Sequence, residues 1–147
     1  MNRTQDVAPD QLTSEQKSIF ERLVAGRGRI LGPFKIWIHS PAVASAMEAL
    51  GTHLNKRGSL SPREGEIGIL VISQHWDADY VRTAHIRAGL AVGIPQETID
   101  AILAGRDPKL TDPHERAVHK FAAALANGAK MSDADFADVE NVLGRKG

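Results

Sequence analysis

The stretch that most constrains this chain is Ser61-Pro62-Arg63-Glu64 followed closely by Ile67 to Ser73, IGILVIS. A short apolar run rich in β-branched residues suits a buried strand as well as a helix. The four residues ahead decide between them. Serine, proline at the first helical position and glutamate three places after the serine make a capping box, so the run is expected to be helical. Because it is apolar nearly all round, that helix needs cover on several sides and is expected to be the central, most buried one. With 147 residues the chain can build one core around it and little more.

Helical punctuation recurs along the rest of the sequence. Thr13 with Gln16 is a second capping box, opening a helix to about Gly26. Ser40-Pro41 sets a cap and a first-position proline before Val43, Met47, Leu50 and Leu54, which share one helix face. Asp77 is expected to cap a helix after a break at Trp76-Asp77, and Gly93-Ile94-Pro95 to end it. A short helix is expected from Glu97 to Ala104, closed by Gly105. Asp112-Pro113-His114-Glu115 reads as another capping box, with Val118, Phe121 and Leu125 along one side behind it. Ser132 opens a last helix through Phe136, Val139 and Leu143, ending at Gly144. No segment alternates convincingly over strand length, so the expected fold class is all-α. GRGRILG, residues 26–32, reads as a linker, dividing an N-terminal helix and linker (1–30) from a helical domain (31–147).

Hydrophobic residues at 42% and charged residues at 24% describe an ordinary globular chain. Eighteen basic residues balance eighteen acidic ones, which leaves no net field to gather phosphates, so a nucleic-acid partner is not expected. No apolar run approaches the ~18 residues needed to cross a bilayer. Met1 to Gln11 is polar, without the apolar region of an export signal, and the expected location is the cytoplasm. The cysteine count is zero, which excludes disulfides, thiolate nucleophiles and thiolate-ligated metals.

Little else in the sequence carries chemistry on its own. His39, His53, His75, His85, His114 and His119 show no HExxH or comparable spacing, so no metal is expected, and no phosphate-binding loop or other cofactor motif is present. Ser73 lies in the apolar run without a glycine elbow. One constellation remains, between Glu64 and Gly93. Glu66 stands in the first turns of the apolar helix, a costly place for a carboxylate without a partner. In the next helix Val81, His85 and Ala88 recur on the inward side, with Arg82 beside His85. A sheltered carboxylate, an inward imidazole and a guanidinium are parts for proton transfer on an anionic substrate. The same residues also read as a satisfied core histidine and its structural ion-pair partner.

These features resemble the carboxymuconolactone decarboxylase family, which includes the alkylhydroperoxidase D type of peroxidase. The likeness rests on Glu66, the apolar helix Ile67 to Ser73, Trp76, Tyr80, His85 and Ala91-Val92-Gly93-Ile94-Pro95. Leu31-Gly32-Pro33-Phe34 with His39-Ser40-Pro41 upstream, and Ala101 to Gly105 downstream, extend it over roughly Leu31 to Gly144. The resemblance implies a compact multi-helix alkylhydroperoxidase D-like domain. In the peroxidase branch Cys-x-x-Cys precedes the histidine, and counting back from His85 those positions fall on Ala78 and Val81. The decarboxylase branch often reads Tyr-Glu-Trp there; here Tyr80 is followed by Val81 and Arg82.

The resemblance therefore implies a small-molecule acid/base enzyme of the decarboxylase type, a lyase for a small organic acid or lactone, and not a thiol peroxidase. His85 would give or take the proton, with Glu66 as its partner or as the base itself. Arg82 would hold the substrate anion, and Trp76 and Tyr80 would form the pocket wall. The alternative is a non-catalytic, ligand-binding or structural oligomeric member of the same fold. A homo-oligomer is expected in either case. Family members usually continue into a further helix, so the natural chain is also expected to extend past Gly147.

Overall fold

Helices start close to the expected capping signals, and at α1, α4, α7 and α8 a side chain satisfies the end groups. The computed structural model describes residues 6–28, 30, 32–128 and 130–146. Met1 to Gln5, Arg29, Leu31 and Gly147, which enter the expectations about the N-terminal segment, the linker and the chain end, lie outside the described residues. Among the described residues the chain is all-α: α1 (Ser14–Arg27), α2 (Gly32–Trp37), α3 (Pro41–Lys56), α4 (Pro62–His75), α5 (Asp79–Ala91), α6 (Gln96–Leu103), α7 (Pro113–Ala126) and α8 (Asp133–Leu143), with no strand. A single 3-10 turn, Pro9–Gln11, precedes them.

The capping boxes of α1 and α4 are complete. The Thr13 and Ser61 side chains accept from the backbone N–H groups of Gln16 and Glu64, whose own side chains accept from the cap residues in return. Three expected caps come out differently. Ser40 stands at the cap position of α3, but its side chain makes no capping hydrogen bond, and the start of that helix is marked by Pro41 alone. Asp112 caps α7, accepting from the N–H groups of His114 and Glu115, but Glu115 does not close a box. It is buried and meets the Arg63 guanidinium instead, because a charge removed from water needs an opposite one. Asp77 does not cap α5, whose cap residue is Ala78 without a side-chain bond. Asp77 takes up a left-handed φ of 47° in the tight turn and pairs with Arg82.

The chain forms two compact units, residues 1–57 and 58–147. The glycine-rich 26–32 stretch lies inside the first unit, where it joins α1 to α2. That short second helix carried no distinct signal in the sequence. Within the first unit α3 packs against α1 and α2. Ile19, Leu23, Phe34 and Ala44 make its core, and Phe34 meets Trp37 edge to face at 5.1 Å. Ala44 is the inward residue of α3. Val43, Leu50 and Leu54 are exposed on the chain taken alone.

The second unit is built on α4, which packs against α5, α6 and α7, while α8 packs on α7. Ile67 and Leu70 on α4 join Ile94, Ile99, Ile102 and Val118 in one buried cluster. Each such side chain contributes about 1.5–3 kcal/mol by leaving water. Ser73 is buried in the same helix, and its hydroxyl donates back to the Leu70 carbonyl at 3.0 Å, which satisfies it without a distant partner. Gly89 gives α5 a smooth surface here. A Cβ at that position would stand 3.4 Å from both Ile94 and Ile99.

Polar contacts join the ends of these helices. Arg63, in the first turn of α4, pairs with Glu115 in the first turn of α7 and also donates to the Gly93 carbonyl after α5. One guanidinium thereby ties three elements together. Replacing Glu115 by alanine leaves a half-buried cation without its partner and should cost roughly 1–3 kcal/mol. The measurement is the urea midpoint at neutral pH, and an unchanged midpoint would show that the pair does not hold α4 to α7.

Candidate functional site

Glu66 and His85 come together. The Trp76-Asp77-Ala78 turn folds α5 back beside α4, and this brings the second turn of α4 level with the middle of α5. Glu66 Oε2 lies 2.7 Å from His85 Nδ1, within ordinary hydrogen-bond range. The side chains are sheltered but reachable, 15% exposed for Glu66 and 31% for His85. With the carboxylate ionised, Nδ1–H donates to Oε2. That fixes the ring orientation and leaves Nε2, which has no hydrogen bond among the described residues, as the atom able to exchange a proton.

Arg82 sits one turn before His85, but its guanidinium is directed elsewhere. It donates to Asp77 Oδ1 at 3.0 Å and to Asp79, and reaches Gln74 Oε1 at 3.5 Å. The hydrogen bond to Asp77, reinforced by the negative charge of Asp79, holds Arg82 protonated more firmly than an ordinary arginine. Both carboxylates are largely in water, so they compete only weakly with another anion. Trp76 is 70% and Tyr80 59% exposed, and Trp76 packs edge to face on His75. On the chain alone neither ring encloses the Glu66–His85 pair.

Sequence reasoning missed two neighbouring features. The first is Arg63 with Glu115, described above. The second is His119, on α7, which borders a cavity of about 620 Å³ between the 107–110 segment, α7 and α8. Pro108, Leu110, Val139 and Val142 give it an apolar lining, and Arg116 stands at its edge. A half-buried histidine on an amphipathic helix carries no signal until the facing segments are known. Neither Glu66 nor His85 borders this cavity. Among the described residues no group of three or more His, Asp or Glu side chains is arranged to hold a metal ion.

The second unit thus holds a carboxylate and an imidazole paired across a helical hairpin in an all-α fold. The profile of the carboxymuconolactone decarboxylase family matches residues 41–126, from the start of α3 to the end of α7, and the chain belongs to that family. No curated protein and no solved structure matches it. No helix among the described residues is long and apolar enough to cross a membrane.

Burial lowers the His119 pKa below the ordinary histidine value, and the negative charge of Asp107 offsets this only in part. The unfolded chain therefore takes up this proton at higher pH than the folded one. Stability rises with pH through the window between the lowered pKa and about 6.5, and is lost as pH falls through it. Urea midpoints measured across that window should fall less steeply for His119→Asn than for the parent chain. Equal slopes would mean that His119 titrates as freely folded as unfolded.

Proposed function

We propose that the chain is a small-molecule acid/base enzyme of the carboxymuconolactone decarboxylase type, a lyase acting on a small organic acid or lactone. The observation that carries this reading is the 2.7 Å contact between Glu66 and His85 in a sheltered but accessible position. In such a reaction the substrate's carbon–carboxylate bond breaks, CO₂ leaves, and the bonding electron pair stays on the lactone framework as an enolate. A proton must then be delivered to carbon. His85 delivers it from Nε2 while Glu66 steadies the ring through Nδ1. Arg82 exchanges its exposed aspartates for the substrate carboxylate, at little cost because surface ion pairs are worth about 0–1 kcal/mol. Trp76 and Tyr80 complete the wall.

A thiol peroxidase is not the function of a chain with no cysteine. The exposure of Trp76, Tyr80 and Leu90 on the α4–α5 hairpin favours assembly with further copies of the chain, and it is also the observation behind a second reading. In that reading the hairpin is an oligomer interface and the protein is a structural or ligand-binding member of the family.

The two readings separate in kinetics. With carboxymuconolactone or a related small carboxylated lactone, CO₂ release by His85→Asn or Glu66→Gln should fall roughly 10²–10⁴-fold with little loss of stability. An undiminished rate, or a loss of about 1–3 kcal/mol in stability with no turnover by the parent chain, would favour the structural reading. Peroxide consumption with a dithiol reductant should equal the uncatalysed background. Light scattering at micromolar concentration should give a mass above that of one chain, and a monomer there would remove the case for a homo-oligomer.

A further inference from the structure

The cavity between the 107–110 segment, α7 and α8 has no part in the chemistry proposed for Glu66 and His85. Its volume, about 620 Å³, falls in the range of small-molecule pockets, and its lining is mainly apolar. The charged groups around it differ in how far they are already engaged. Asp107 is held by Lys109 at 2.7 Å, and Lys120 by Asp135 at 2.5 Å and Asp138 at 3.8 Å. Arg116 donates one N–H to the Thr111 carbonyl and forms no ion pair among the described residues. Its other N–H groups are free for an oxygen ligand. His119, beside it on the same helix, makes no hydrogen bond among the described residues.

We propose that this cavity is a binding site for a small monocarboxylate with an apolar body, whose carboxylate pairs with Arg116 and accepts a hydrogen bond from the His119 ring. The apolar tail lies against Pro108, Leu110, Val139 and Val142. A guanidinium without an internal carboxylate fits an anionic head, since charge-assisted pairs with arginine are the stronger kind. The neutral imidazole favoured by burial still carries one N–H to donate. A single charged contact beside four apolar residues selects an amphipathic acid over a polyanion such as a nucleotide. A pocket of this volume suits a small molecule better than a protein segment, whose interface would be broader.

Octanoate serves as the probe, with octan-1-ol as its uncharged counterpart, each titrated calorimetrically into the full chain near neutral pH. Octanoate should bind in the millimolar range or tighter, and octan-1-ol at least about tenfold more weakly, a difference of about 1.4 kcal/mol. Octanoate should also shift the His119 ring resonances in NMR spectra. Arg116→Ala, a change at an exposed position, should weaken octanoate about tenfold with the fold intact by circular dichroism. Val142→Trp, which fills the cavity, should abolish binding. No octanoate binding to the parent chain would overturn the proposal. Equal affinity for acid and alcohol, unmoved His119 resonances, or full binding by Arg116→Ala would also overturn it. A mass that drops in light scattering with Val142→Trp, without octanoate binding by the parent, would overturn it in favour of a second copy of the chain seated there.

Discussion

Covering α4 is the constraint on which the second unit depends. Its residues Ile67 to Ser73 present apolar surface around most of the helix, so one neighbour cannot shelter it. α5, α6 and α7 all pack on it, and the cluster of Ile67, Leu70, Ile94, Ile99, Ile102 and Val118 draws one part of its lining from each side. Gly89 is where α5 helps to make this possible, since the absence of a side chain lets Ile94 and Ile99 close against that helix. Glu66 is placed by the same packing. It lies immediately before Ile67, so burying the apolar run carries the carboxylate to a position where His85 can reach it.

The ion pairs made by Arg63 and by Arg82 have different physical meanings. Arg63 with Glu115 is part-buried, and its loss would leave a charge stranded in the interior. It acts as a brace between α4, α7 and the end of α5. Arg82 is itself sheltered, but its partners Asp77 and Asp79 are largely in water, where their Coulombic attraction is nearly balanced by hydration and side-chain entropy. That difference makes the Arg63 contact the costlier of the two to break.

The absence of cysteine bears on chemistry more than on folding. Ala78 occupies the cap position of α5 and Val81 its first turn. A helix N-terminus there would lower the pKa of a thiol and stabilise its thiolate, but alanine and valine carry no titrating group. What the facing helices carry in this chain is the carboxylate–imidazole pair of Glu66 and His85.

The sequence alone determined the helical class and most helix starts. Capping boxes and first-position prolines act within four residues and need no partner elsewhere in the chain, so Thr13, Ser61, Asp112 and Ser132 could be read directly. It also determined that thiol chemistry was closed, because composition does not depend on conformation. The inward side of α5 was legible from 3.6-residue periodicity, and with the short turn before it this brought His85 toward Glu66. Long-range electrostatics decided the rest. Glu115 left its expected capping box for Arg63, fifty-two positions away in sequence. Likewise, only the packing of α8 on α7 made a cavity beside His119, whose burial depends on segments that no local pattern places there.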